Sequence, residues 1–477
     1  MPACSRSGFV RAAGTELVDD QGPLLLRGVG LGNWLLAEGY MWLFGDEQSS
    51  PRLIEARIRA LVGVERADEF WRRFVDTFIT EADFEMIAEL GFDHVRLPIN
   101  SRGVVDDDGA FRPAGFDLID RAVQWSERYG LRILLDLHGA PGGQTGTNID
   151  DAADGKPELF MDAGNRTMTV KIWQELATRY RHSETVLGYD LLNEPLPNEW
   201  QHIYQDELVD LYRELTAAIR EIDDRHLIMY EGSHWATNWS PLAERFDDNQ
   251  ALQFHRYWCA PDETSIAEFL DARDRLQTPI YMGEGGENTP AWIYAATQLY
   301  ERHEIGWNFW PWKKLQTETS PVSASVPAEW NEIADPARHP HPERAWQILV
   351  QFLDAVAIER CDVRTPVLDA LFARPSLRLP AWAGIRDGAE IPVSQMTDAA
   401  LPEGIWHHTR GEAYERDEDV SVVLAAGSRL TFALAARPAT WSIDADDPRS
   451  VDAHWDGRSL VVHAKSPARV RSVDVRS

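Results

Sequence analysis

The sequence predicts an α/β chain, a (β/α)8 barrel followed by a small C-terminal antiparallel β-sandwich. Three observations carry this expectation. Between about residues 24 and 360, short apolar or β-branched runs alternate eight times with longer helical patterns, the count for a (β/α)8 barrel. No glycine-rich phosphate-binding turn follows the first strand, which disfavours the competing open, doubly wound sheet. From about Ala383 the helical period fades and short alternating strands replace it.

The eight barrel strands are expected at 24–30, 94–99, 132–138, 186–194, 227–232, 252–258, 279–284 and 306–312. Between them the 3.6-residue period predicts helices such as 81–90, 116–129, 169–180, 205–222 and 264–276. The last barrel helix falls at 343–358. The barrel is therefore assigned to 1–365 and a separate module to 383–477. In the module, 420–425, 430–435, 440–443, 451–455 and 459–464 read as strands, with Asp456-Gly457 as a hairpin turn. Such a module either binds carbohydrate or is a structural appendage. No internal repeat or low-complexity segment interrupts the chain.

Composition excludes several function classes. The chain has 477 residues, with 47 Lys plus Arg against 77 Asp plus Glu, a formal net charge of −30. Nucleic acid would be repelled, because its affinity rests on basic residues neutralising phosphates. An anionic membrane surface is disfavoured for the same reason, and no apolar run is long enough to span a bilayer. The first twenty residues hold no signal-peptide apolar core, so a cytoplasmic location is expected. Cys4, Cys259 and Cys361 are too few and too scattered for a disulfide framework or a zinc site. The 19 Trp form a large reserve for core filling or for stacking surfaces.

In such a barrel the active site lies at the C-terminal ends of the strands. The polar residues expected there are Arg96 on strand two, His138 on strand three, Asn193 and Glu194 on strand four, His255 and Tyr257 on strand six, Glu284 on strand seven, and Trp310 with Trp312 on strand eight. Strands four and seven lie across the barrel mouth, so Glu194 and Glu284 can face each other. Paired carboxylates flanking a bond are what glycoside hydrolysis needs: one protonates the leaving oxygen while the other attacks or activates water. A separation of about 5–5.5 Å predicts retention of configuration and about 6.5–9.5 Å inversion. Taken singly, each of these residues is as easily a rim salt bridge, a structural histidine or a core tryptophan. Their joint placement on one rim favours a site. A divalent metal held by His138, Glu194, His255 and Glu284 is the alternative chemistry, but no tightly spaced ligand pair supports it.

The motifs in order resemble glycoside hydrolase family 5, retaining β-glycosidases on the (β/α)8 fold. The matching text is Arg-Gly-Val-Gly-Leu-Gly-Asn-Trp at 27–34, Val-Arg-Leu-Pro at 95–98, Asp-Leu-His-Gly-Ala-Pro-Gly at 136–142, Leu-Asn-Glu-Pro at 192–195, His-Arg-Tyr at 255–257, Gly-Glu at 283–284 and Gly-Trp-Asn-Phe-Trp-Pro-Trp-Lys at 306–313. The resemblance covers about residues 20–350. It implies Glu194 as general acid/base and Glu284 as nucleophile, with Arg96 and Tyr257 bonded to the Glu284 carboxylate. It further implies Asn193 on the sugar 2-hydroxyl, His138 and His255 lining the same subsite, and Trp310 as its aromatic floor. No cofactor or metal is implied.

Within that family the chain looks most similar to the exo-β-glucanase and β-glucosidase branch, on the Leu-Leu-Ala-Glu text at 35–38 and the His-Gly-Ala-Pro-Gly-Gly-Gln loop. In that branch an acidic residue at the Glu38 position contacts the terminal sugar. The branch also has an Asp near Asn148, and the text at 147–151 departs from that pattern. The expected function is a retaining exo-β-glycosidase on β-glucosides or short β-glucans, with 139–165 walling the cleft. The alternatives are the same mechanism on a β-mannoside, a β-galactofuranoside or a disaccharide glycoside, or a non-catalytic carbohydrate-binding protein. The partner is a carbohydrate, and the oligomeric state is not encoded in any motif.

Overall fold

The computed structural model describes residues 7–45, 50–147, 149–387 and 421–477. Eight parallel strands close a barrel: β1 (Arg27–Gly30), β2 (His94–Asn100), β3 (Arg132–Gly139), β4 (Val186–Asp190), β5 (Leu227–Glu231), β6 (Gln250–Arg256), β7 (Ile280–Gly286) and β8 (Gly306–Trp310). Strand β8 pairs with β1 to complete the closure. Every expected barrel strand is present. The fourth is shorter than expected, ending at Asp190, so Asn193 and Glu194 sit on the loop beyond it.

The helical period is set by local signals. Pro occupies the first turn of helices Pro51–Val62, Pro113–Tyr129, Pro290–Arg302 and Pro342–Ala355, where its missing N–H costs nothing. Helix Glu81–Leu90 starts on a Thr80/Asp83 capping box and stops at Gly91 in the left-handed region. Helices Pro51–Val62 and Val64–Thr77 lie in the long connection between β1 and β2. Phe70 and Phe74 of the second join Trp42, Trp330 and Phe352 in one aromatic cluster, which accounts for several of the tryptophans as core.

A short N-terminal sheet, Arg11–Ala13, Glu16–Asp19 and Gly22–Pro23, closes the barrel end opposite the loops after the strands. Val10 and Leu17 pack there against Leu134, Leu187, Leu227, Ala251 and Tyr281.

The C-terminal region is two four-stranded sheets. One contains Arg378–Pro380, Ala468–Arg476, Val422–Leu424 and Thr440–Ala445; the other contains Ile385–Asp387, Arg429–Ala433, Ser459–Ala464 and Val451–Trp455. Strand Ala468–Arg476, absent from the sequence expectation, is the centre of the first sheet and pairs with three partners. Residues 388–420 of the expected module, with the first residue of the strand expected at 420–425, and Cys4 lie outside the described residues. The sandwich rests on the barrel through Tyr294, whose hydroxyl donates to the Ala433 carbonyl at 2.8 Å.

Candidate active site

The rim after the strands carries a cavity of about 440 Å³ whose lining includes Glu38, His138, Glu194, Tyr257, Glu284 and Trp310. Arg96, on β2, is fully buried beneath it. Its guanidinium donates to Asp190 at 2.8 Å, to Asn193 at 2.9 Å and to Glu231 at 3.1 Å, and a further N–H donates to Glu284. Asp136 lies 3.2 Å from the same group. One planar cation thus organises the site floor, which a lysine point charge could not do.

Glu284 receives the Arg96 bond on one oxygen and the Tyr257 hydroxyl, at 3.0 Å, on the other. Burial raises its pKa, against the pull of His255 and Arg96. Glu194 is set differently. It occupies the left-handed region at φ 44°, and its Oε1 lies 2.7 Å from His255 Nδ1. An oxygen of Glu194 and one of Glu284 lie within 4.8 Å of each other.

One wall of the cavity is built from β3 and β8. His138 Nδ1 lies 2.7 Å from Asp136, and its ring stacks on Trp310 at 5.3 Å and 9°. Burial holds His138 neutral, with its pKa lowered to about 4. The glycines of the β1 motif make room for this floor: a Cβ on Gly30 or Gly32 would lie 2.4 or 2.6 Å from the Trp310 ring. Trp312 is in the core instead, its indole N–H donating to Asp83 at 2.9 Å.

The family model described as Cellulase (glycosyl hydrolase family 5) matches residues 59–315. The chain belongs to glycosyl hydrolase family 5. The matched segment holds every rim residue described above except Glu38, which stands before it. The chain is 32% identical over 254 residues to a β-xylosidase of Phanerodontia chrysosporium, covering 52% of each. It is 32% identical over 276 residues to a probable glucan 1,3-β-glucosidase A of Emericella nidulans, covering 54% of this chain and 66% of that one. It thus spans about half to two thirds of the length of these curated relatives. Among solved structures, an endogalactoceramidase has the same fold, with TM-score 0.53 and 19% identity over 98% of this chain and 100% of that one.

Several residues of this family 5 site escaped the reading by strand ends. Glu231 closes β5, an apolar strand ending in a buried carboxylate, so the rule that found Glu284 would have found it. Gln253 donates to Asp190 at 2.9 Å and also to Glu231. It fits because position 283 is glycine, where a Cβ would lie 2.1 Å from the Gln253 side chain. Glu287 and Lys314 form a buried ion pair beside Tyr40, whose hydroxyl accepts the Trp310 indole N–H at 3.1 Å.

Glu38 is buried, and its Oε1 has no hydrogen-bond partner among the described residues. Burial, reinforced by Glu284 and Glu194, raises its pKa well above the ordinary value. Two other tryptophans open to the cavity, Trp235 and Trp258, whereas Trp239 packs on Phe269 in the core. Glu194, His255 and Glu284 are close enough to chelate an ion. Burial alone would deprotonate His255, but the Glu231 and Glu284 carboxylates outweigh it and raise its pKa well above the usual value. To ligate a metal, this imidazole would first have to release a proton.

The loop after β3 is tied down rather than loose. The Asp150 carboxylate accepts the N–H groups of Thr145, Gly146 and Ala152 at 2.6, 3.1 and 2.9 Å. Asp151 pairs with Arg52 and Arg102. Gln144 donates to the carbonyls of His138 and Asn193 at 2.7 and 2.9 Å. Asp150 and Asp151 are thereby spent on the loop itself, while Ile149 faces the cavity and Asn148 lies outside the described residues.

Proposed function

We propose that this chain is a retaining exo-β-glycosidase acting on β-glucosides or short β-glucan oligosaccharides. The observation that carries the reading is the approach of Glu194 and Glu284 oxygens to within 4.8 Å. That is close to the ~5–5.5 Å of retaining enzymes and short of the ~6.5–9.5 Å that admits a water between the carboxylates. The tied loop after β3 and the stacked Trp310 favour a pocket for one terminal sugar over an open groove.

In this scheme Glu284 attacks the anomeric carbon, held ionised and aimed by Arg96 and Tyr257. Glu194 gives its proton to the glycosidic oxygen, and the aglycone leaves. A water then attacks the glycosyl–Glu284 ester, and Glu194 takes the proton of that water. Asn193, whose Nδ2 lies 3.3 Å from His138 Nε2, takes the contact to the 2-hydroxyl in this scheme. Glu38 Oε1 is an unspent acceptor for a terminal hydroxyl.

The relatives' names support β-glycosides and span β-xylosidase, glucan 1,3-β-glucosidase and endoglucanase. A panel of aryl β-glycosides tests sugar choice, and 1H NMR of the first-formed anomer tests retention. Release of the α-anomer from a β-glycoside would overturn the mechanism. Turnover confined to mannosides, galactofuranosides or disaccharide glycosides would move the substrate and keep the chemistry. Chain-internal cleavage of a long glucan would replace exo-action by endo-action.

A further inference from the structure

Glu231 is fully buried at the end of β5, and no step of the double displacement uses it. Its two oxygens have different partners. Oε2 accepts the backbone N–H of Glu194 at 2.7 Å. Oε1 accepts from Arg96 at 3.1 Å and from Gln253, and lies 3.3 Å from His255 Nε2. His255 Nδ1 in turn lies 2.7 Å from Glu194 Oε1. One carboxylate therefore reaches Glu194 by two separate routes.

Both routes carry weight. The backbone route holds Glu194 at φ 44°, a conformation that a residue with a Cβ adopts only when its surroundings enforce it. The side-chain route fixes an imidazole between two carboxylates, where it donates from both nitrogens. The other charges around that ring are Glu284 on β7, 3.7 Å from Nδ1, with Asp136 on β3, Arg96 on β2 and His138 also on β3. The one nitrogen that faces Glu194 is committed by the other, which faces Glu231.

We propose that Glu231 is a positioning residue for Glu194, holding its backbone directly and its carboxyl group through His255. With Oε1 of Glu194 accepting the His255 Nδ1–H, its Oε2 is left to serve the glycosidic oxygen. The proposal rests on the reading of Glu194 as acid/base. It goes beyond that reading by assigning the protonation and direction of His255 to a residue outside the substrate pocket.

The substitution that isolates this role is Glu231→Gln. An amide that keeps its oxygen for the Glu194 N–H turns its NH2 toward His255 Nε2 and gives up the bonds that Oε1 accepts from Arg96 and Gln253. The imidazole then keeps its Nδ1 proton and loses its charge. In the full chain, 15N NMR of labelled histidines should show His255 protonated on both nitrogens at pH 7 in the wild type. It should be protonated on Nδ1 alone in Glu231→Gln, and Glu231→Asp should restore the doubly protonated form.

Kinetics supply the second readout. Loss of the acid's alignment should cost Glu231→Gln at least about 10-fold in kcat/KM on phenyl glycosides, a fraction of what general acid catalysis is worth, and little on dinitrophenyl glycosides. Removing the positive charge beside Glu194 should move the basic limb of the kcat/KM profile to higher pH. The lost Glu231 charge opposes this shift, but it acts from the far side of the ring. An unchanged His255 spectrum in Glu231→Gln overturns the proposal. So do equal losses on both leaving groups with an unmoved basic limb, which mark a merely structural role. A wild-type chain that turns over no glycoside, with the His255 spectra as expected, instead overturns the assignment of function.

Discussion

His138 and Trp310 lie face to face, their ring centroids 5.3 Å apart and their planes 9° from parallel. The pair joins the third and eighth barrel strands and forms one wall of the cavity between Glu194 and Glu284. The stack also sets the chemistry of each ring. Burial keeps His138 neutral, with Nδ1 facing Asp136, and Trp310 is anchored at its far edge by Tyr40.

Trp310→Ala should remove both the sugar platform and the support for His138. Loss of kcat/KM on the preferred aryl glycoside is expected at roughly 100-fold, the scale of about 2–3 kcal/mol of binding surface. The matching change at Trp312 should behave oppositely. Trp312→Ala should cost about 3–5 kcal/mol of stability, because it empties the core. Urea unfolding and steady-state kinetics on the two variants separate these outcomes.

Gly30→Val should act on the same floor from below, since even a Cβ there would lie 2.4 Å from the Trp310 ring. A loss of activity larger than the loss of stability is expected. Gly103→Ala is the control: it is helical, and no atom lies within 4 Å of its added Cβ. That change should be neutral or stabilising by up to about 1 kcal/mol.

Arg96→Met would leave Glu231 and Glu284 without their shared cation, and Asp136 and Asp190 without the guanidinium beside them. Breaking a buried ion pair costs about 3–5 kcal/mol, so the variant should unfold at markedly lower urea. Arg96→Lys should recover little, because one ammonium cannot reach all four partners with directed bonds.

Stability should fall as pH rises above neutrality. Burial raises the Asp136 pKa to about 8, and burial also raises that of Asp190. A folded-state pKa above the unfolded value means that the folded chain binds more protons. The stability this contributes is full below the unfolded pKa and is lost as pH rises through the folded one. His255 has the same sign above pH 6.5, where its raised pKa keeps it protonated in the folded state. His138, lowered to about 4, contributes in the opposite direction only between 4 and 6.5. Urea unfolding at pH 7 and pH 9 should therefore show a decrease, with a slope of up to about 1.4 kcal/mol per pH unit for each group. Asp136→Asn should flatten that slope, and a flat wild-type profile would contradict the prediction.

Asp151→Ala should loosen the wall after β3, because it removes the partner of Arg52 and Arg102 and of the Asn100 amide at 3.2 Å. Limited proteolysis followed by mass spectrometry should then cut within 139–165. Activity on aryl glycosides should fall while the barrel's unfolding midpoint changes less.

The eight strands were legible because each is buried on both faces and reads as an apolar run, a pattern that survives without tertiary context. Strand Ala468–Arg476 was not, since its Arg, Ser and Asp residues hide a strand whose other face is buried. The rim residues followed from one topological rule, that strand ends carry the site. Glu231 obeys the same rule and was passed over because no motif text surrounds it. Glu287 and Lys314 were invisible for a different reason. They meet across 27 residues, Glu287 just after β7 and Lys314 within the short strand Lys313–Leu315, and nothing in either local sequence marks the other.

The amino-acid sequence by itself determined the barrel, the succession of its strands and the two carboxylates that face each other across its mouth. These depend on periodicity and strand order, which are local properties. Only the tertiary structure decided that Trp310 and not Trp312 floors the cavity, that Glu194 sits in a left-handed turn, and that Glu231 holds it from two directions. Those outcomes depend on which side chains fill the same few ångströms, and on burial deep enough that each buried charge must find a partner.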